Sequence, residues 1–251
     1  MKKSCLLMPC FIALTRFCSF SNASILWQGD FETGDMSQWN SPINAAGLSL
    51  ASECTFDGKH AGKVTLTGDD SFLWRGNKFL NRSEFHHRRA AGNTHEGKDT
   101  FFAFSFYLPQ KFSEHKHELG YWESDKSWQQ MFRFNIHGSD LSFQESAASD
   151  ALWKLPEGAA PGQWHRVALH IHWSTNPEVG SAEVWVDGKH MGKHHFKNLP
   201  TKDALMFIQI GILRTQEQTT EEILIDGALE TDNLTELLER DRHLVGKTCS
   251  Q

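Results

Sequence analysis

Residues 82–88 read Arg-Ser-Glu-Phe-His-His-Arg, a dense basic cluster in an acidic chain. Laid out as a strand, Arg82, Glu84, His86 and Arg88 share one face, and Phe85 lies on the face a core would claim. A guanidinium takes a carboxylate by two parallel hydrogen bonds, and Glu84 is placed to hold Arg82 in position. Phe132-Arg133-Phe134-Asn135-Ile136-His137 alternates in the same way. Phe132, Phe134 and Ile136 fall on one face, Arg133, Asn135 and His137 on the other. An amide beside an imidazole suits a charge neutraliser and a base, because imidazole titrates near neutral pH. Gly120-Tyr121-Trp122-Glu123 adds a phenol, an indole and a carboxylate. Tyr121 and Tyr107 are the two tyrosines of the chain, and Tyr107 lies near a strand end where packing is the simpler role. The same letters also describe charged strand ends left in water, so the elements that carry them decide between the two.

Those elements read as antiparallel strands. Trp164–Trp173 and Ala182–Val186 alternate apolar and polar residues, with Asp187-Gly188 as the turn signal after them. Thr100–Leu108 places Phe102, Phe104 and Phe106 on one face. Shorter strands are expected at 63–67, 82–88, 128–137, 204–214 and 222–225. Leucines at 234, 237 and 238 predict one short terminal helix within 232–243. Many short strands with little helix predict an all-β, two-sheet antiparallel sandwich of the jelly-roll or concanavalin-like kind, as one domain over 24–251.

The first 23 residues read as an export signal. Lys2 and Lys3 precede an apolar stretch, and Ser21-Asn22-Ala23 offers a small-x-small cleavage site. The apolar run is too short to span a bilayer, so a secreted or periplasmic product without a membrane partner is expected. Without the three basic residues of the leader, the chain carries 22 Lys+Arg against 31 Asp+Glu, a formal charge of −9. That balance argues against nucleic acid as a partner. Cys54 and Cys249 remain after the leader and suggest a disulfide in an exported protein. The histidines at 115/117, 170/172 and 194/195 lack the helical His-Glu-x-x-His frame or paired cysteines of a zinc site, and no metal is assigned to catalysis. Glu32, Asp35 and Asp226 would suit a structural calcium if first and last strands pair.

In order along the chain, GDFETGDMSQW (29–39), NRSEF (81–85), FFAFSFYLP (101–109), the GQWHRVALHIHWS/VWVDG hairpin (162–188) and FIQIGILR (207–214) resemble the heparin lyase I-like polysaccharide lyases. That jelly-roll group is similar also to glucuronan lyases and, more distantly, to alginate lyases. The resemblance spans roughly Trp27 to Asp226. It implies cleavage of an acidic, uronate-containing polysaccharide by β-elimination, with no cofactor required, by a monomer. The carboxylate must be neutralised, the C5 proton removed and the departing oxygen protonated, often by Tyr. On this resemblance Arg82 and Asn135 steady the carboxylate, His137 or His86 is the base, and Tyr121 is the acid. Glu84, Arg88, Arg133, Trp122, Glu123 and Arg214 contact substrate. The chain departs from the pattern at Glu123, where a catalytic His is expected, and at Gln209 and Leu213, where Lys and Tyr are expected; Arg214 is retained. Those departures keep two other readings open: a carbohydrate-binding jelly roll without catalysis, and a glycoside hydrolase using Glu123.

Overall fold

A strand with an apolar residue at every second position can bury only one face, so it needs a second sheet to cover it. The computed structural model, which describes residues 25–68, 80–87 and 94–249, shows that solution. Its strands are β1 (Ile25–Gly29), β2 (Leu48–Ala51), β3 (Ala61–Leu66), β4 (Leu80–His87), β5 (Asp99–Tyr107), β6 (His117–Ser124), β7 (Gln130–His137), β8 (Asp140–Glu145), β9 (Trp153–Leu155), β10 (Trp164–His172), β11 (Ser181–Val186), β12 (Lys189–His195), β13 (Met206–Thr215) and β14 (Glu221–Thr231). They form two antiparallel sheets. The larger runs β12-β11-β10-β5-β14-β3-β2, with β1 also paired to β14; the smaller runs β4-β13-β6-β7-β8-β9. The expected all-β sandwich is therefore the fold.

The core is the set of inward faces read from alternation. Phe102, Phe104 and Phe106 of β5 meet Trp122, Phe132 and Phe134 of the facing sheet, all 2% exposed or less. Phe102 stands edge-on to Trp122, and Phe104 edge-on to Phe134. Asp187 and Gly188 both take positive φ (52° and 76°), which lets a two-residue turn join β11 to β12 with the strands' own twist. The terminal helix is α1 (Leu234–Glu239). The Asn233 side chain caps it by accepting from the Glu236 amide, and Leu237 is the residue it buries. It ends earlier than the leucine pattern suggested, because Arg240 is extended and Asp241 is left-handed.

Cys54 and Cys249 are bridged across a sequence separation of 195, with Cα atoms 5.3 Å apart. The bridge packs with Phe56 and Trp164, and it fixes the tail beside the start of β10. Closing so long a loop restricts the unfolded chain, so Cys54→Ser/Cys249→Ser is expected to cost about 2–4 kcal/mol, or roughly 5–15 °C in Tm. Calorimetry of the two forms checks this, and coincident melting curves would contradict it. The expected leader, residues 1–23, lies outside the described residues. No described helix is long and apolar enough to cross a membrane.

Candidate active site

Because the apolar residues of the six-stranded sheet face the core, the alternate residues face away from it, and register lines them up in rows. One row runs His86 (β4), Gln209 (β13), Tyr121 (β6), Arg133 (β7) and Gln144 (β8). The neighbouring row runs Arg82, Leu213, Glu118, Asn135, Ser142 and Lys154. Neither row is local in sequence. β13 lies between β4 and β6, so a segment after residue 205 joins Arg82 to Tyr121.

At the β4 end the side chains form one connected network. Arg82 Nε donates to Glu84 Oε2 at 2.6 Å, and its Nη2 also contacts that oxygen. Arg82 Nη2 donates to Tyr121 Oη at 2.5 Å and to Gln209 Oε1 at 2.6 Å. Tyr121 Oη in turn donates to Glu84 Oε2 at 3.2 Å, and Gln209 Nε2 donates to Glu123 Oε2 at 2.6 Å. His86 Nε2 lies 3.8 Å from the same Glu84 oxygen. Arg82, Glu84, His86, Tyr121 and Gln209 are each 3% exposed or less. Burial opposes every charge here, and the partners decide which survive. Burial works against the Arg82 cation, but Glu84 and Tyr121 outweigh it and hold the guanidinium above its ordinary range. Burial works against the Glu84 anion, but Arg82 and then His86 pull it below the usual carboxylate value. Burial and the Glu84 charge push the Tyr121 phenol well above 10, so it stays protonated.

Toward β7–β9 the face stays largely covered: Asn135, Ser142 and Glu118 are buried, Arg133 and Gln144 are half-buried, and of the two rows here only Lys154, at the edge, is exposed. Arg133 Nη1 donates to Gln130 Oε1 at 2.7 Å and its Nη2 to Gln144 Oε1 at 3.3 Å, while Asn135 Nδ2 donates to that oxygen at 3.2 Å. Glu118 sits 3.6 Å from Arg133 Nε and accepts from Gln130. Trp128, exposed and held at φ 57°, stands edge-on to Phe207 one step beyond Glu123.

The structure thus brings together Arg82, Glu84, His86, Tyr121 and Glu123, with Arg133 and Asn135 beside them. Three expectations are corrected. Trp122 points into the core, stacked on Phe132, because it alternates with the outward Tyr121. Arg214 alternates with Leu213 and points the other way. It is fully buried against Glu221 (2.6 Å), with Glu217 at 3.4 Å. His137 is exposed at the end of β7, paired with Asp140. It lies four residues from Arg133, the register partner of Tyr121, or about 13 Å along the strand. Partial desolvation, followed by the nearby His117 and Lys116, holds the His137 imidazole below its ordinary value. Arg88 lies outside the described residues. Gln209, expected only as a departure from a family pattern, is the bridge between Arg82 and Glu123.

The family model described as "Polysaccharide lyase" matches residues 31–228. The chain belongs to the polysaccharide lyase family. Solved structures similar to this lyase-family chain include a GH131 β-glucanase catalytic domain from Podospora anserina, 14% identical, covering 84% of this chain and 96% of that one with a TM-score of 0.60. A family 7 alginate lyase in complex with substrate is 14% identical over 72% of this chain and 82% of its own, with a TM-score of 0.53. A carbohydrate esterase from the Shiga toxin-encoding bacteriophage phi24B is 17% identical over 84% and 99%, with a TM-score of 0.57. At these identities the likeness is one of fold. No curated protein sequence matches.

Two polar clusters of this polysaccharide lyase-family chain lie elsewhere. His117, Glu217 and Glu221 bring potential ligand atoms within 4.8 Å of one another. His117 is buried at the start of β6. The Arg214 guanidinium already supplies the counter-charge, so this is an ion-pair cluster that does not suit a bare dication. The second is a cleft lined by Asp30, Glu32, Asp57 and Asp226, where β1 meets β14. Asp35, expected here, instead accepts from Thr33 and Ser37 within its own turn. Burial raises the Asp226 carboxyl to about 7, although the amides of Gly227, Asp57 and Phe56 oppose it. A carboxyl whose folded pKa lies above its unfolded value stabilises the fold at low pH. That contribution falls away as pH climbs from about 4 through about 7. Denaturant melts should show it as a decline across that window which Asp226→Asn removes; an unchanged slope in the variant would count against it.

Proposed function

We propose that this chain cleaves an acidic, uronate-containing polysaccharide by β-elimination on the outer face of its six-stranded sheet. The observation that carries the reading is the Tyr121 hydroxyl, which accepts from Arg82 while donating to Glu84. A phenol kept protonated, beside a fixed cation that steadies the phenolate, is a proton donor for a departing glycosidic oxygen. His86 and Tyr121 both approach Glu84 Oε2, at 3.8 and 3.2 Å, and so lie no more than about 7.0 Å apart, the sum of those distances. That is within reach of one sugar unit, whereas His137 is not. In the step, His86 takes the C5 proton, the electrons form the C4–C5 double bond, and the C4–O bond breaks. Tyr121 gives its proton to the oxygen. Arg133 and Asn135, one strand on, together with Arg82, face the uronate carboxylate. Polymer approaches along the row from the exposed Lys154 edge, past the half-buried Arg133.

The test is direct. The full chain is incubated with alginate, glucuronan and glycosaminoglycans, and the ultraviolet absorbance of the unsaturated product is followed. His86→Ala should slow its appearance about a hundredfold, while His137→Ala should leave it near the parent rate. The opposite pattern would return the base to His137.

A second reading rests on the line Glu123–Gln209–Arg82–Glu84, which ties two carboxylates together through an amide and a guanidinium. Two carboxyl groups roughly 5–10 Å apart serve glycoside hydrolysis, and the β-glucanase fold likeness is compatible with it. Reducing ends released without absorbance would establish that chemistry instead. Within the lyases the chain is assigned to the heparin lyase I-like branch and to export, which the leader pattern and the disulfide support. No cofactor takes part in the elimination. A structural calcium would fall in the cleft of Asp30, Glu32, Asp57 and Asp226, but Arg240 lines the same cleft and Glu32 and Asp226 already accept from backbone amides, so the residues do not form a ready cation site.

A further inference from the structure

The chain is acidic, yet residues 189–202, KHMGKHHFKNLPTK, contain four lysines, three histidines and no carboxylate. This stretch is β12 and the segment after it, and β12 is the free edge of the eight-stranded sheet. Lys189, His190, Lys193, His195 and Lys197 are exposed. Elsewhere among the described residues, four lysines pair with acids: Lys63 with Glu222 at 2.7 Å, Lys111 with Glu114 at 2.7 Å, Lys116 with Glu118 at 3.0 Å and Lys126 with Asp203 at 2.6 Å. Lys189, Lys193 and Lys197 have no ion-pair partner among the described residues. Glu183 of β11 stands opposite Lys193 in register but holds His190 instead, at 2.9 Å.

The position of this edge matters as much as its charge. Phe196, directly after β12, packs on Phe132 and Phe143 at 5.4 and 6.2 Å between ring centroids. Phe196 therefore seals the core beneath the inner faces of β7 and β8, which puts the basic edge on the side of the sandwich where the smaller sheet ends in β8 and β9. The row of Asn135 and Ser142 ends at the exposed Lys154 on β9, the corresponding edge of the other sheet. The two sheets thus end in lysine-bearing edges, Lys154 on β9 and Lys189–Lys197 on and after β12.

We propose that the Lys189–Lys197 edge is a second binding surface for the same class of ligand, a run of acidic polysaccharide extending beyond the catalytic row. It rests on the proposed function for the identity of the polymer. Unpaired ammonium groups on long stems bind a repeating polyanion by releasing its counterions, with little demand on geometry. Lysines on an edge strand also discourage strand-to-strand aggregation, but that role alone would leave polymer affinity unmoved.

Affinity electrophoresis of the full chain through gels containing alginate or polyglucuronate separates the two roles. Lys189→Gln/Lys193→Gln/Lys197→Gln should weaken retention about tenfold at low salt and flatten its dependence on salt concentration. The matching triple Arg variant should keep both, and turnover of short oligosaccharides should not change. Lys193→Glu alone, at an exposed position, gives the answer if the triple variant folds poorly. Retention needs no catalysis. Loss of retention in a chain that cleaves nothing would leave this surface standing while the elimination reading falls. Unchanged retention in an active chain would overturn this surface alone, and so would equal binding to double-stranded DNA.

Discussion

Tyr121→Phe is expected to slow elimination by roughly 10³-fold, within the range for loss of a positioned general acid, while the melting curve moves little. The ring lies flush with the sheet at 2% exposure and the variant keeps its volume. The loss is one hydroxyl that accepts from Arg82 and donates to Glu84. Those two groups remain paired with each other through Arg82 Nε, so no buried charge is stranded. The effect should fall on kcat, because the proton moves only in the transition state. Initial rates on a good polymer leaving group, compared with a substrate whose leaving oxygen needs no proton, give the decisive contrast. Full activity in the Phe variant on the ordinary polymer would remove Tyr121 from the mechanism.

Arg82→Met should be felt in folding as well as in rate. Glu84 is 1% exposed, and its charge survives because the guanidinium outweighs the cost of burial. Breaking one partner of a buried pair costs about 3–5 kcal/mol, or roughly 6–20 °C in Tm for a chain of this size. The sign with pH follows from linkage. Glu84 has a depressed folded pKa in the parent, so its contribution is present above about pH 4.5 and is lost as pH falls through the depressed value. In Arg82→Met that dependence should reverse, with the variant relatively better off in acid. Arg82→Met/Glu84→Gln should recover much of the stability and none of the activity. If the double variant melts no higher than the single one, the pair is not the unit of stability here.

Period-two alternation carried most of the fold. It placed Phe102, Phe104 and Phe106 inside, put Arg82, Glu84 and His86 opposite Phe85, and set Arg133 and Asn135 opposite Phe132 and Phe134. Applied with equal strictness, it would also have removed Trp122 and Arg214 from the site, since each alternates with a residue assigned outward. What alternation does not carry is register between strands distant in sequence. His137 and Tyr121 share a face, and only the β6–β7 pairing shows that they are about 13 Å apart along it. Gln209 escaped for the same reason: between Ile208 and Ile210 it reads as an outward polar residue. Its meaning comes from β13 lying between β4 and β6. The depth at which the Arg82 network is enclosed was likewise beyond a one-dimensional pattern, because burial depends on what covers a face.

The central place of β13 governs how the molecule is made. Until residues 206–215 dock, β4 and β6 have no bridge between them, and each offers a row of open backbone donors and acceptors to any stray strand. The guanidinium at 82 and the phenol at 121 wait on those same ten residues. During refolding from denaturant, competence to act on polymer should emerge only with the last sheet-closing phase, after most tryptophan fluorescence has recovered. A chain cut short before position 206 would be an aggregation hazard rather than a weakened catalyst.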